Sequence, residues 1–190
     1  MNLQTLFLST ILLPLVVAGK ILAQETPPLP ERPKTITSSV TLVSQKEPGE
    51  QLIVNGVFYS RDGKTPAPGV LLYVYQTDAT GVYNSDDGSW QRPRINGWFR
   101  TDKDGRYEIR TIKPGSYPRG RNPAHIHLVI VPDNGAARWL DDFLFEGDPF
   151  LSPAGRERPS RDGRFSYVMK IRKGKDGLLH CERDIILDTR

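Results

Sequence analysis

The stretch TDKDGRYEIRTI, residues 101–112, carries a strong local signal for a β-rich fold. An Asp-Gly turn stands between two β-like runs, GWFRTD (97–102) and RYEIRTI (106–112), and this arrangement predicts a β-hairpin. The same alternation of short β-like runs and turn residues continues in both directions along the chain. The further runs are LIVNGVFY (52–59), VLLYVYQT (70–77), AHIHLVIV (124–131), RWLDDFLF (138–145), RFSYVMKIR (164–172) and LLHCERDIIL (178–187).

No convincing amphipathic helix accompanies these runs. Many short strands joined by close turns predict an all-β fold, an antiparallel β-sandwich with long functional loops in a single domain. The chain has 190 residues, of which 37% are apolar, enough for one domain with its own core. Its net charge is +4, but the basic residues are scattered and are not interleaved with aromatic residues, so no nucleic-acid partner is predicted.

The N-terminal residues differ from the rest of the chain. The apolar stretch LFLSTILLPLVVAG is followed by small and polar residues, which predicts a signal peptide over residues 1–23 and a secreted or periplasmic protein. The alternative is a membrane anchor, but the stretch is short for a span and is interrupted by Pro14 and Lys20. We therefore expect no stable membrane association after processing. Residues 24–35 are expected to form a flexible Pro-rich leader, which leaves residues 36–190 for the sandwich.

Two of the three histidines stand close together, as His125 and His127. On a strand, residues two apart share a face, so both imidazoles would point the same way. The neighbouring residues on both faces are largely apolar, which predicts a central strand buried on both sides. Burial of two imidazoles requires partners. A metal ion would be one such partner, and structural hydrogen bonds are the alternative that the H-x-H spacing alone leaves open.

Two tyrosines could complete a metal site with these histidines. Tyr117 lies eight residues before His125 in a Pro/Gly loop, and Tyr83 lies in the loop after an apolar strand. A phenol, with an ordinary pKa near 10, loses its proton at neutral pH only to a strongly Lewis-acidic ion. Because ligand hardness selects the metal, two tyrosines and two histidines would suit Fe(III) better than zinc or copper.

The sequence segments that contain these residues resemble those of a known family. The segment TDKDGRYEIRTIKPGSYP…PAHIHLVI resembles the core of the intradiol ring-cleavage dioxygenases, the protocatechuate and catechol dioxygenases. The upstream segment APGVLLYVYQTDATGVY resembles their pattern W-Q-A-N-x-x-G-x-Y, with Tyr75 at the Trp, Gln76 at the Gln and Asp78 at the Asn. The resemblance covers residues 50–131 well and the remainder loosely.

The resemblance implies a non-haem Fe(III) cofactor whose ligands are Tyr83, Tyr117, His125 and His127. It further implies that Tyr117 leaves the iron when a catechol chelates it and then acts as a base toward that substrate. The implied reaction consumes O2 and cleaves a small catechol between its two hydroxyl-bearing carbons, giving a muconate-type diacid. The protein would then be an oxidoreductase of aromatic compound catabolism.

One departure from the family concerns an arginine three residues before the first histidine, which steadies the anionic substrate. Asn122 occupies that position here, and Arg121 precedes it. Arg121 is therefore the candidate for a second catalytic residue, although an offset of one residue in an extended segment reverses the side-chain direction. Whether Arg121 replaces the family arginine is left open, as are the identity of the catechol and any self-association.

Two other functions stay open at this point. A transthyretin-like binding module shares the T-D-x-D-G-x-Y…P-G-x-Y pattern, which is mostly structural. It has no need for Tyr83, His125 and His127, and these residues favour the enzyme. A catalytically weakened relative would retain iron and lack the arginine function.

The remaining chemistry-bearing residues receive structural interpretations. Cys181, the sole cysteine, cannot form an intrachain disulfide and is expected to be buried. His180 is expected to be exposed to solvent. Trp90 and Trp98 are expected either to line a pocket mouth or to pack against other aromatic residues. Four acids are interpreted as loop and strand-edge residues: Asp141, Asp142, Glu146 and Asp148.

Overall fold

The computed structural model describes residues 29–85, 93–134, 136–152 and 165–187, and these residues form two stacked β-sheets. The first sheet contains β1 (Ser39–Thr41), β2 (Gln51–Tyr59), β5 (Arg106–Ile112), β10 (Arg172–Lys173), β11 (Leu179–Glu182) and β12 (Ile185–Ile186). The second sheet contains β3 (Leu71–Gln76), β4 (Ile95–Arg100), β6 (His125–Ile130), β7 (Arg138–Trp139), β8 (Phe143–Phe145) and β9 (Val168–Met169).

The strand order confirms the predicted all-β sandwich. The first sheet runs β1-β5-β2-β11-β10 with β12 also on β2, and the second runs β4-β3-β6-β8-β9 with β7 also on β6. The long central strands pair antiparallel, as predicted. The parallel pairs involve short strands: β1 on β5, β11 and β12 on β2, and β9 on β8. Within the described ranges, no helix has the length and apolar character needed to cross a membrane.

The predicted hairpin over residues 97–112 is wrong, because its two strands enter different sheets. The turn itself is present: the Gly105 N–H donates to the Asp102 carbonyl (3.0 Å), and Gly105 has a φ of +72°. However, β4 pairs with β3, and β5 pairs with β2 along its whole length. The Phe58 N–H donates to the Gly105 carbonyl (2.8 Å), which binds the turn to the end of β2. The turn therefore connects the two layers of the sandwich.

The predicted alternation along β6 is confirmed. This strand lies between β3 and β8 in the second sheet. Ile126 and Leu128 are completely buried in the core between the sheets. Val129 points to the outer face, where it joins an aromatic cluster that includes Tyr73, Tyr75 and Trp98. His125 and His127 share the outer face with Val129, because successive side chains of a strand alternate.

The described end of the Pro-rich leader, together with the residue that follows it, lies against the outer face of the second sheet. Leu29 and Ile36 pack against the aromatic cluster, and the Arg32 guanidinium lies 5.4 Å from the centre of the Trp98 ring. A cation over an aromatic face is an attractive contact. Residues 29–35 thus contain no helix or strand but lie against the sheet. The predicted signal peptide, residues 1–23, lies outside the described residues.

The run over residues 138–145 was predicted as one strand, but it forms β7 and β8 with an irregular corner at residues 140–142. Arg183 explains the break. Its buried guanidinium donates from Nη1 to the main-chain carbonyls of Asp141 (2.8 Å) and Asp142 (3.0 Å). Those carbonyls bond the guanidinium instead of a neighbouring strand. The C-terminal run over residues 178–187 is likewise divided into β11 and β12.

Candidate metal centre

Tyr83 and Tyr117 lie on two loops that are bonded to each other. Tyr83 follows β3, and Tyr117 lies between β5 and β6. The Asp78 carbonyl accepts hydrogen bonds from the N–H groups of both Gly81 (3.1 Å) and Gly115 (2.8 Å), one from each loop. A Cβ added at Gly81, which has a φ of +83°, would meet the Ser116 carbonyl at 1.9 Å. Glycine is therefore required here, and the two loops approach as closely as their backbones allow.

The carboxylate of Asp78 fixes the shape of the Tyr83 loop. Asp78 Oδ1 accepts hydrogen bonds from the Thr80 N–H (2.8 Å), the Thr80 hydroxyl (2.7 Å) and the Val82 N–H (3.1 Å), and Asp78 Oδ2 accepts one from the Asn84 amide. Burial opposes the ionisation of Asp78, but these hydrogen bonds outweigh it, so the pKa of the carboxyl is lowered. Asp78 stands at the Asn position of the pattern that the sequence resembles, and its charge strengthens the loop that presents Tyr83.

The structure brings the four predicted ligands together. The Tyr83 hydroxyl lies 2.6 Å from the Tyr117 hydroxyl and 3.0 Å from His127 Nε2. His125 Nε2 lies 3.0 Å from His127 Nε2 and 3.3 Å from the Tyr117 hydroxyl. The four donor atoms thus form a closed ring of contacts. Donors that surround one metal ion at roughly 2 Å lie about 3 Å apart at right angles, which matches this spacing.

The hydrogen bonds of the two imidazoles show that the ring suits a cation. His125 Nδ1 contacts the Pro123 carbonyl (2.6 Å), and His127 Nδ1 contacts Asp142 Oδ1 (2.7 Å). Both partners are acceptors, so each Nδ1 carries the proton and each Nε2 presents a lone pair. Two lone pairs face each other across 3.0 Å, an arrangement that a cation between them would stabilise. Burial, followed by the proximity of His127, lowers the pKa of His125, which keeps its ring neutral as a ligand must be.

Without a bound metal ion, Tyr83 and Tyr117 are protonated phenols. Burial raises the pKa of both Tyr83 and Tyr117 above the ordinary value. A strong Lewis acid at the centre of the four donor atoms would favour the deprotonated tyrosines instead, because it stabilises the phenolate directly. Hard oxygen donors together with imidazole favour Fe(III) among the common metals. The residues present therefore fit the predicted ferric ion.

Asp142 is a residue of this site that the sequence did not indicate, because it was interpreted as one of four loop and strand-edge acids. With His125 and His127 it forms a group of three potential metal ligands. Its oxygen contacts Nδ1 of His127, however, which is the edge of the imidazole opposite to Nε2. Asp142 therefore lies behind a ligand of the ring rather than inside it. The residue pattern held no signal for this contact, because it depends on the corner at residues 140–142.

A cavity of about 480 Å³ is lined by three of the four donor residues. Its walls combine aromatic rings with two carboxylates. The lining residues besides the ligands Tyr83, Tyr117 and His127 are Tyr75, Trp139, Leu140, Asp141, Asp142, Leu144 and Tyr167. Tyr75 stands at the Trp position of the pattern that the sequence resembles. Its ring stacks on the His127 ring with ring centres 4.5 Å apart, and its hydroxyl accepts a hydrogen bond from Trp139 Nε1 (3.2 Å). The volume is more than enough for a small aromatic ring, and the aromatic walls offer faces against which such a ring can pack.

Four other residues considered from the sequence are not among the described residues that line this cavity: Arg121, Trp98, Cys181 and His180. Arg121 is exposed in the loop before β6 and is not among the described lining residues, so its catalytic role stays a prediction. Trp98 packs against Tyr73, with ring centres 5.2 Å apart; Trp90 lies outside the described residues. Cys181 is buried as predicted. His180 is only partly exposed and contacts the Asp176 carboxylate (2.9 Å).

The chain is similar in sequence to known dioxygenases. A family model described as "Dioxygenase" matches residues 24–156. The chain is 36% identical over 164 residues to the protocatechuate 3,4-dioxygenase beta chain of Burkholderia cepacia, covering 78% of this chain and 69% of that protein. It is 27% identical to catechol 1,2-dioxygenase 1 of Acinetobacter lwoffii, covering 57% of this chain but only 40% of that longer protein.

Solved structures show the same likeness. The dioxygenase domain of a dioxygenase and carbohydrate-binding protein fusion from Streptomyces sp. SirexAA-E superposes with a TM-score of 0.63 at 26% identity, covering 88% of this chain and 96% of that one. The 3-chlorocatechol 1,2-dioxygenase from Rhodococcus opacus 1CP gives a TM-score of 0.62 at 21% identity, covering 83% of this chain and 68% of that one. The second likeness is one of fold alone.

Proposed function

This chain belongs to the intradiol ring-cleavage dioxygenases, a family of oxidoreductases, and from that premise we propose that it cleaves a small catechol in an iron-dependent reaction. The proposed product is a muconate-type diacid, formed by cleavage between the two hydroxyl-bearing carbons. The convergence of Tyr83, Tyr117, His125 and His127 on one point carries the proposal. A transthyretin-like binding module would not require these four donors to meet.

Fe(III), when bound, would supply the Lewis acidity that stabilises a catecholate and activates its ring toward O2. The protein supplies the geometry. His125 and His127 are held by the main chain of β6, and their rings are oriented by the acceptors at Nδ1. Tyr83 is held by the Asp78-bonded loop, which makes it a fixed ligand.

Tyr117 is the proposed base. Its loop contains Gly115 and Pro118, and its hydroxyl shares short contacts with Tyr83 (2.6 Å) and His125 (3.3 Å). In the phenolate form, Tyr117 Oη would accept the proton of a catechol hydroxyl. Because burial raises the pKa of Tyr117, the phenolate is a strong enough base to hold that proton afterwards.

The cavity walls favour catechols without a negatively charged substituent. Among the described lining residues, the charged side chains are the carboxylates of Asp141 and Asp142. A carboxylate on the substrate ring would meet like charges there, and like-charge contacts at a binding site cost several kcal/mol. Tyr75, Trp139 and Tyr167 present rings against which a neutral aromatic ring can pack. We therefore propose a neutral catechol in preference to a carboxylated one.

We also propose that the protein acts outside the cytoplasm. The support is the apolar stretch over residues 6–19, followed by a change to polar composition near Gln24. The intact mass of protein recovered from its native source tests this proposal. A mature chain beginning near Gln24 is expected, and a cytosolic protein that retains Met1 would contradict it.

Three measurements together test the proposed activity. Purified protein loaded with Fe(III) should be red-brown to purple from tyrosinate-to-iron charge transfer, with about one iron per chain. Oxygen uptake with catechol should give a diacid that contains both atoms of labelled O2. A semialdehyde product, or a colourless protein carrying stoichiometric zinc, would refute the proposal. Iron-loaded protein without uptake on any catechol would instead indicate the catalytically weakened relative.

The variant Arg121→Ala tests the arginine with the same assay. If Arg121 steadies the anionic intermediate, oxygen uptake should fall by about 30- to 1000-fold, equivalent to roughly 2–4 kcal/mol, while the iron content stays unchanged. Arg119→Ala, which removes another exposed arginine of the same loop, is the matched control. Equal uptake by the two variants would exclude a specific role for Arg121.

A further inference from the structure

The two histidines of the ring have chemically different partners behind them. His125 Nδ1 donates to the neutral main-chain carbonyl of Pro123 (2.6 Å). His127 Nδ1 donates to the carboxylate of Asp142 (2.7 Å). Both contacts place the proton on Nδ1 and leave Nε2 for the centre of the ring. Only the second contact adds a negative charge to the hydrogen bond, and charge-assisted hydrogen bonds are about twice as strong as neutral ones.

Asp142 is held in place by the main chain on which it sits. Arg183 Nη1 donates to the carbonyls of Asp141 and Asp142, so the corner between β7 and β8 is tied to the segment that links β11 to β12. Arg183 also lies over the Phe143 ring, with its guanidinium carbon 4.7 Å from the ring centre. The His127 ring is itself stacked on Tyr75, with ring centres 4.5 Å apart. The imidazole is thus fixed by a ring against its face and by a carboxylate at its edge.

We propose that Asp142 is a positioning residue that fixes His127 as the Nδ1–H tautomer and makes it the stronger electron donor of the two histidines. This inference rests on the proposed ferric site. A carboxylate that accepts from Nδ1–H draws the proton toward itself and raises the electron density at Nε2. A ligand with more electron density stabilises the ferric state over the ferrous state. Asp142 thereby lowers the reduction potential of the iron and raises the energy of the tyrosinate-to-iron charge transfer.

Two variants of Asp142 separate its charge from its hydrogen bond. Asp142→Asn keeps a neutral oxygen that can accept from His127 Nδ1–H, and Asp142→Ala removes the acceptor altogether. Asp141→Asn is the matched control, since it removes the same charge one residue away in the same cavity wall and leaves the contact between Asp142 and His127 in place. Circular dichroism and thermal unfolding show which variants are folded. The Asn variant keeps the test informative if the Ala variant does not fold.

The first measurement uses iron-free protein. Nitrogen-15 NMR of the imidazoles should show His127 as the Nδ1–H tautomer in the wild type and in Asp142→Asn, and as a mixture of tautomers in Asp142→Ala. A merely structural contribution to folding would not move the tautomer of a folded variant. A wild-type His127 with its proton on Nε2 would overturn the inference.

The second measurement uses iron-loaded protein. Asp142→Asn should shift the charge-transfer band to longer wavelength and make the reduction potential more positive, whereas Asp141→Asn should change both much less. Iron affinity should fall by about 10- to 100-fold in Asp142→Ala, the usual effect of removing such a partner. A band that is present in the wild type but unchanged in Asp142→Asn would overturn the inference. Failure of the proposed ferric site gives a different result, because the wild type itself would then lack the charge-transfer band.

Discussion

Replacement of Gly81 by alanine should separate the two tyrosine loops. Gly81 lies two residues before Tyr83 and has a φ of +83°, and a Cβ there would stand 1.9 Å from the carbonyl oxygen of Ser116, the residue before Tyr117. Non-bonded carbon and oxygen atoms approach to about 3.3 Å. The loops must therefore move apart by more than ~1 Å, and the 2.6 Å contact between the Tyr83 and Tyr117 hydroxyls should be lost.

The free-energy cost of Gly81→Ala has two parts. The left-handed backbone conformation costs a residue with a Cβ about 1–2 kcal/mol, and the forced contact adds roughly 1–3 kcal/mol. The unfolding free energy should therefore fall by about 2–5 kcal/mol. A displacement of ~1 Å within a site commonly costs about 100-fold in activity, and we expect the iron affinity and oxygen uptake to fall by that order.

Gly177→Ala is the matched control for Gly81→Ala. Gly177 has a φ of +80°, and an added Cβ meets nothing within 4 Å. This variant should lose only the conformational part, about 1–2 kcal/mol, and should bind iron normally. Urea unfolding of iron-free protein measures the first quantity, and a titration of charge-transfer absorbance measures the second. Equal losses in the two variants would refute the steric argument.

Four further predictions follow from the site and the core. His127→Ala should abolish the one-to-one iron content, whereas His180→Ala should leave it unchanged; equal iron in both variants would contradict the ligand assignment. Tyr117→Phe should retain iron through three protein ligands but lose oxygen uptake by about 100-fold or more, as expected for loss of a base. Burial lowers the pKa of His125 in the folded protein, so the unfolded chain binds more protons than the folded one below about pH 6.5. Acid should therefore lower the unfolding free energy of the iron-free protein. In urea titrations, His125→Asn should make the unfolding free energy less dependent on pH. Burial raises the pKa of the Cys181 thiol to about 12, so a thiol reagent at pH 8 should label the unfolded chain and leave the folded protein unmodified.

The ligand set shows what a residue pattern can determine. The i, i+2 spacing of His125 and His127 on a buried strand is a local property, because strand geometry alone places both side chains on one face. The tyrosines were assigned through the family resemblance rather than through geometry. The structure then placed their hydroxyls within hydrogen-bonding distance of each other and of the imidazoles.

The predicted hairpin shows where local reasoning failed. The Asp-Gly turn at residues 102–105 is a property of four consecutive residues, and it formed as expected. Which strands pair is decided by partners far along the chain, and here β2 took β5 as its neighbour. A turn signal therefore predicts a reversal of the chain but does not determine whether the chain returns to the same sheet.

Local patterns in the sequence were thus sufficient to predict the β-rich architecture and the buried strand that carries the two histidines. The position of Asp142 behind His127, in contrast, follows from long-range packing. That contact joins residues 15 positions apart and needs the corner at residues 140–142, whose carbonyls are held by Arg183 more than 40 positions further along the chain. Side-chain periodicity acts over a few residues, whereas such a contact exists only after the two sheets have packed and closed the loops between them.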